Sequence, residues 1–357
     1  MNRYLNIDGV AIHDQSDCYV IAEIGNNHQG NLDKCKEMFR VAKECGANAV
    51  KLQKRDNRSL YTKAAFDKPY EHENSFGSTY GEHREFLEFG QAEYLELKEY
   101  AAQIGITFFA TAFDFPSADF LEALDLPLYK IASGDIKNIP LIKYIASFNK
   151  PMIVSTGGAT LEDVQRVYQE IMPINPQLCI LQCTASYPAS FEELDLKVIQ
   201  TYQEMFPEIS VGLSSHDNGI AMAVAAYVLG ARVIEKHFTL NRALKGTDHA
   251  FSLEPTGLRK MVRDLRRTKQ ALGDGQKKVY LSERPAVMKM GKKLVATQDL
   301  PAGHILTKAD LQIKCPGDGI PPYELDKVVG KMLTESLAID EAIAWTKLTD
   351  KVETAVL

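Results

Sequence analysis

Two short stretches carry the side chains with the most chemistry: Val211-Gly212-Leu213-Ser214-Ser215-His216-Asp217 and Arg232-Val233-Ile234-Glu235-Lys236-His237-Phe238-Thr239. Each is an apolar, partly β-branched run that ends in polar groups and a histidine, the pattern of a buried strand delivering its C-terminal end to a site. A lone strand histidine is more often a core residue than a ligand. Two of them, at matching strand ends beside Asp217 and Glu235, can instead converge on one divalent cation, with positions left open for water or a substrate oxygen. Two nitrogen ligands with hard oxygen donors completing the shell suit manganese, with magnesium or cobalt as alternatives.

The same strand-end register elsewhere adds Glu23, Lys51, Gln53, Thr111, Lys130, Ser133, Ser155, Thr184, Tyr187 and Ser214. Lysines inside a strand pattern are costly to bury without anions. Lys51 and Lys130 either close salt bridges with Glu23 or Glu235, or join Ser155 and Ser214 in a cradle for a phosphate or carboxylate. Glu23 and Asp248 are candidate proton carriers, and a Schiff-base aldolase using Lys51 or Lys130 is the rival chemistry.

These residues need a scaffold that brings strand ends together. Short apolar runs at 19–25, 49–53, 107–111, 128–133, 152–157, 179–183, 211–216 and 233–238 alternate with amphipathic helical patterns near 32–45, 91–104, 117–124, 141–147, 161–172, 196–206, 220–229 and 255–272. Eight such units predict an α/β chain closed as a (β/α)8 TIM barrel, with catalytic groups at the C-terminal ends of its strands. No Gly-rich dinucleotide turn follows the first strand, which disfavours an open doubly wound sheet. Between 54 and 90 no element repeats clearly, and this aromatic, charged, His-bearing segment reads as a lid. Residues 1–282 are assigned to the barrel, 283–292 to a linker, and 293–357 to a small mostly-β domain with short strands at 294–297, 301–306, 311–314 and 343–345.

The totals exclude other classes. A formal charge of −6 without a basic block leaves no nucleic-acid footprint. No run of about 18 apolar residues exists to span a membrane, and the first residues lack a signal-peptide core. Cys18, Cys35, Cys45, Cys179, Cys183 and Cys315 are scattered, as expected of reduced thiols in a cytoplasmic protein. Cys179 and Cys183 share a strand face but lack partner ligands for a metal reading.

Ordered motifs across nearly the whole chain resemble the sialic acid synthases: Ala22-Glu23-Ile24-Gly25-Asn26-Asn27-His28-Gln29-Gly30, Lys51-Leu52-Gln53, Tyr129-Lys130-Ile131-Ala132-Ser133-Gly134-Asp135, Val154-Ser155-Thr156-Gly157, Cys183-Thr184-Ala185-Ser186-Tyr187-Pro188, Gly212-Leu213-Ser214-Ser215-His216, Glu235-Lys236-His237-Phe238-Thr239 and Gly246-Thr247-Asp248-His249. The tail, with Pro301-Ala302-Gly303 and Gly319-Ile320-Pro321-Pro322, is similar to that family's antifreeze-like SAF domain. The resemblance implies condensation of phosphoenolpyruvate with N-acetylmannosamine or its 6-phosphate, on a TIM barrel plus SAF domain, in a domain-swapped homodimer. It also implies metal ligation by His216 and His237, and phosphoenolpyruvate contacts from Lys51, Thr111, Lys130, Ser133, Ser155 and Ser214. Sugar contacts fall on Gln53, Asn74, Tyr187 and Asp248, with Asp135 a further substrate-side position and Glu23 the base that handles water. Family members using the free sugar carry Arg where this chain has Cys315, Glu at Asp135 and Asn at Ala185. The segment from Thr79 to Phe89 is closer to members taking the 6-phosphate, with Arg84, Lys68 and His83 as candidate charge. Synthases of legionaminic or KDN-type acids, and a non-catalytic saccharide-binding protein, are the remaining alternatives.

Overall fold

The computed structural model describes residues 3–350, and the chain divides into two compact units between Gly273 and Asp274. The larger unit is a closed eight-stranded parallel barrel. Its strands are β1 (Tyr19–Gly25), β2 (Ala49–Lys54), β3 (Thr107–Ala112), β4 (Tyr129–Ile131), β5 (Met152–Ser155), β6 (Leu178–Cys183), β7 (Ser210–Ser215) and β8 (Val233–His237).

Period-2 alternation explains why the strands are buried on both faces. Val20, Ala22, Val50, Leu52, Phe108, Ala110, Ile180, Leu213 and Ile234 pack outward against the helices. Tyr19, Ile21, Ala49, Phe109, Ile153, Leu181 and Val233 fill the interior. An antiparallel hairpin (Tyr4–Ile7 with Val10–His13) precedes the barrel, and its Leu5, Ile7 and Ile12 join the interior cluster. Apolar residues therefore close one end, so the next inward position on each strand, one pleat toward the C-terminal end, is where polar groups can stand. At Gly212 on β7 an added Cβ would lie 2.2 Å from the Val233 carbonyl oxygen, so the closest approach of β7 to β8 requires glycine.

The segment between β2 and the following helix (Gln91–Ile104), read from sequence as a lid without clear helices or strands, is more regular than that. It contains three short helices, Asn57–Leu60, Lys63–Phe66 and Tyr80–Leu87. Each starts at a side-chain cap: Asp56 accepts from Ser59 N, Thr62 from Ala65 N, and Thr79 from Glu82 N in a capping box. Helices this short show no 3.6 period in the sequence, but their caps are legible.

In the smaller unit, Lys293–Ala296 pairs with Leu311–Lys314 and Met332–Leu333 with Leu348–Thr349, around a core including Leu294, Leu300, Leu306, Leu337 and Ile343. The expected strands at 301–306 and 343–345 are not strands. The first holds only an isolated bridge, Ile305 to Met332, and Trp345–Lys347 forms a 3-10 turn. Pro301 and the positive-φ Gly303 bend the first too sharply for a ladder. The segment read as a linker carries the helix Arg284–Met290.

Ile12 is fully buried in the barrel interior, so Ile12→Ala is expected to cost about 2–5 kcal/mol. Urea unfolding should show a lower midpoint at unchanged slope; an unchanged midpoint would show that the hairpin does not seal the barrel.

Candidate active site

The C-terminal ends of the strands surround a cavity of about 670 Å³. Of the residues singled out from sequence, Glu23, Lys51, Gln53, Thr111, Lys130, Ser133, Ser155, Tyr187, Ser214, His216, His237 and Asp248 line it. Asn74 and Asp135 do not. The Asn74 side-chain oxygen accepts from Gly246 N at 2.9 Å, which holds the loop bearing Thr247 and Asp248. Asp135 accepts from Asn138 Nδ2 at 3.3 Å, while its neighbours Ser133 and Gly134 face the cavity. A second cavity of about 680 Å³, among Asp8, Lys43, Asn48, Thr107 and Arg266, gathers no histidine or cysteine.

At the base of the active cavity lies a buried layer of two lysines and two glutamates. Lys51 Nζ is 2.7 Å from Glu23 Oε2 and 3.8 Å from Glu235 Oε1, and Lys130 Nζ is also 3.8 Å from Glu235 Oε1. Lys51 donates to Thr111 Oγ1 at 2.9 Å, Lys130 to Ser155 Oγ at 2.6 Å, and Ser214 to Glu235 Oε1 at 3.2 Å. Burial lowers the pKa of Lys130 and raises that of Glu23. Burial penalises the Glu235 carboxylate as well, but Lys130 and Lys51 outweigh it and hold the group below its ordinary range. Glu235 thus sits between the lysines as a fixed anion, a position its inward alternation with Val233 and His237 signalled. Ser133 Oγ accepts from Gly157 N at 2.9 Å, fixing that hydroxyl beside the same space.

The two histidine rings stand with centroids 5.3 Å apart. His216 Nδ1 is 2.8 Å from the Thr184 carbonyl oxygen, so Nδ1 carries the proton and Nε2 keeps its lone pair. His237 Nδ1 is buried without a hydrogen-bond partner, and Asp248 Oδ2 stands 3.8 Å away. Burial lowers both imidazole pKa values to about 4, leaving neutral rings at neutral pH. Neutral, adjacent, under-bonded imidazoles beside carboxylates fit a divalent cation. Among the described residues no set of three or more His, Cys, Asp or Glu is gathered for metal binding, so the protein offers a pair and not a closed cage. Lys236 points outward from the barrel and grips Asp217 at 2.8 Å, bracing the turn that carries His216.

The lid contributes Tyr70, Tyr80 and Arg84 to the lining, joined by Arg55 just after β2. Lys68 is exposed, and His83 is buried against Tyr70 and Phe76 with its Nδ1 accepting from Phe76 N at 3.1 Å. Of Lys68, His83 and Arg84, the residues read from sequence as candidate charge, Arg84 alone lines the cavity.

Because His216 and His237 titrate near pH 4 when folded and near about 6.5 when unfolded, the unfolded chain binds more protons between those values. Stability should therefore fall as pH drops from 6.5 toward 4. His28, His83 and His249 are shifted the same way, so a His216→Asn/His237→Asn variant should show a shallower slope of urea midpoint against pH. Superimposable slopes would contradict the buried-neutral assignment.

Comparison with known proteins follows from this geometry. The NeuB family model matches residues 38–277 and the SAF domain model residues 293–349. The chain is 42% identical to the human N-acetylneuraminate-9-phosphate synthase over 92% of either chain. It is 36% identical to the N,N'-diacetyllegionaminic acid synthase of Legionella pneumophila, over 92% of this chain and 94% of that one. The crystal structure of N-acetylneuraminic acid (sialic acid) synthetase from Leptospira borgpetersenii, in complex with citrate, superposes with a TM-score of 0.70 at 31% identity, covering 80% of this chain and 96% of that one. A parallel barrel with this polar layer, followed by an SAF domain and matched along its length by such relatives, belongs to the NeuB family, the sialic acid synthases that its motifs resemble.

Proposed function

We propose that the chain condenses phosphoenolpyruvate with an N-acetylmannosamine-type sugar and water, giving N-acetylneuraminate from the free sugar or its 9-phosphate from the sugar 6-phosphate, and inorganic phosphate. The observation that carries this reading is the buried Lys51, Lys130, Glu23 and Glu235 layer facing the imidazole pair. The human and Leptospira relatives support the same chemistry. The Legionella relative keeps a legionaminic-type acceptor as the alternative.

In this mechanism Lys51 and Lys130 neutralise the carboxylate and phosphate of the enol substrate, while Thr111, Ser133, Ser155 and Ser214 supply directional hydrogen bonds. Gln53, Tyr187 and Asp248 orient the sugar so that its aldehyde carbon meets the enol carbon. His216 and His237 would hold a divalent cation, manganese or a similar ion, which when bound would supply Lewis-acid polarisation of the sugar carbonyl. The new carbon–carbon bond leaves a cation at the former enol C2 and an alkoxide at the former aldehyde oxygen; water adds at C2, and the proton it releases balances the alkoxide. Phosphate departs by cleavage of the C2–oxygen bond, taking the proton of the new C2 hydroxyl and leaving the ketone. Glu23 takes the water's proton; burial raises its pKa, and Gln53 Nε2, donating to Oε1 at 2.8 Å, fixes its direction. No helix among the described residues is long and apolar enough to cross a membrane; the proposed setting is the cytoplasm. The proposed assembly is a homodimer exchanging its SAF domains, supported by the exposed apolar residues Val279, Leu281, Val287 and Met290 of the connecting segment.

His237→Ala should cut phosphate release from phosphoenolpyruvate by at least about 100-fold. Chelation should silence the wild type and added Mn2+ restore it; turnover unaffected by either would overturn the metal assignment. Borohydride trapping with pyruvate should leave the protein unlabelled, and a covalent adduct on Lys51 or Lys130 would favour the aldolase. Sedimentation should give twice the 39.8 kDa chain mass, and a monomer at working concentration would contradict the exchanged dimer.

A further inference from the structure

Two guanidinium groups at the cavity rim have no part in the chemistry above. Arg55 is 7% exposed. Its Nη2 donates to Gln53 Oε1 at 2.6 Å, and its guanidinium carbon lies 3.9 Å from the centre of the Phe113 ring. Glu88 is 3.7 Å from Arg55 Nη1, yet that carboxylate also serves Lys54 at 3.3 Å. Nη1 is left buried with no hydrogen-bond acceptor. Arg84, on the helix Tyr80–Leu87, has no acidic side chain within ion-pair distance among the described residues. Both Nε and Nη2 donate to one neutral oxygen, the hydroxyl of Tyr80, at 3.0 and 2.8 Å.

Arg84 therefore secures little of the fold, since its partner lies one turn back on the same helix. Arg55 and Arg84 line the same cavity, and burial, and then the charge of Arg84, lower the pKa of Arg55. Placing a buried and a partly buried cation in one cavity is unfavourable unless an anion joins them. The enol substrate's carboxylate and phosphate fall to Lys51 and Lys130 of the inner layer, so that substrate does not account for the rim pair. A phosphate monoester, with close to two negative charges and three acceptor oxygens, matches what the pair lacks. Gln53 links Arg55 to the catalytic carboxylate Glu23, and all three line one cavity, so a single substrate can touch both the rim pair and the inner layer.

We propose that Arg84 and Arg55 form the subsite for the terminal phosphate of the sugar acceptor, selecting the 6-phosphorylated sugar over the free one. This rests on the condensation reading given under the proposed function. A free hydroxyl at that end would leave both guanidiniums unpaired, and sites built for a charged group reject analogues lacking it. Tyr80 acts as a positioning residue that aims the Arg84 fork.

The test measures kcat/KM for 2-keto acid formation from phosphoenolpyruvate with N-acetylmannosamine and with N-acetylmannosamine 6-phosphate. The wild type should prefer the phosphorylated sugar, and in Arg84→Gln that preference ratio should fall about 10- to 100-fold. Arg84→Lys, which keeps the charge without the fork, should fall between them and serves as the second variant if Arg84→Gln does not fold. An unchanged ratio in the variants overturns the subsite, as does a raised KM for phosphoenolpyruvate with the ratio intact. A wild type that uses both sugars equally also sinks the subsite but leaves the condensation standing. A wild type that makes 2-keto acid from neither sugar sinks both.

Discussion

Burying two lysines inside a barrel is the constraint around which the rest of this molecule is arranged. Lys51 and Lys130 stand on β2 and β4, with side chains directed into the interior. A lone ammonium there would lose its proton or destabilise the fold. Glu23 on β1 and Glu235 on β8 supply the counter-charges, and β8 hydrogen-bonds to β1 to close the sheet. The four charges come from four strands, so the cluster exists only in the closed barrel, and removing one member strands its partners. Such a layer is weak evidence for stability. It is better understood as a prearranged electrostatic surface over an apolar floor, where a substrate's charge meets fixed groups instead of reorganising water.

That layer sets the state of its surroundings. Burial leaves the neighbouring imidazoles uncharged at neutral pH, while Lys51 and Glu235 of the layer push His237 in opposite directions. A protonated ring could not donate a lone pair. The Thr184 carbonyl fixes the His216 tautomer, and the Lys236–Asp217 pair braces the turn beneath it from outside the barrel. On the lid, capped short helices and a Tyr61, Tyr70 and Tyr80 cluster hold a wall of aromatic rings against the mouth. Gly81 permits that packing, since a Cβ there would meet the Phe66 ring at 2.3 Å.

Strand periodicity made most of this legible in the sequence. Residues 19–25, 49–54 and 107–112 alternate strictly between helix-facing apolar positions and interior ones, so Glu23, Lys51 and Thr111 could be placed at the mouth before any coordinates. Histidine pairing followed from the matching ends of β7 and β8. Other features depend on contacts that sequence distance hides. Glu235 could be named from sequence as a salt-bridge partner for the lysines, but that it stands 3.8 Å from both of them appears only in the closed barrel. Arg55 lies in a loop and is drawn in by Phe113 and Gln53, neither of which announces a guanidinium site. The lid helices escaped because four to eight residues cannot show a helical period; the strand expected at 301–306 holds only an isolated bridge at Ile305, and that expected at 343–345 runs into the 3-10 turn Trp345–Lys347.

Convergence of the two imidazoles on one cation is tested most directly by pulsed EPR on chelator-stripped protein titrated with Mn2+. The account predicts one ion per chain with nitrogen couplings from two histidine rings, reduced to one ring in His237→Asn. Bound manganese surrounded by oxygen alone, or no stoichiometric binding at all, would contradict it.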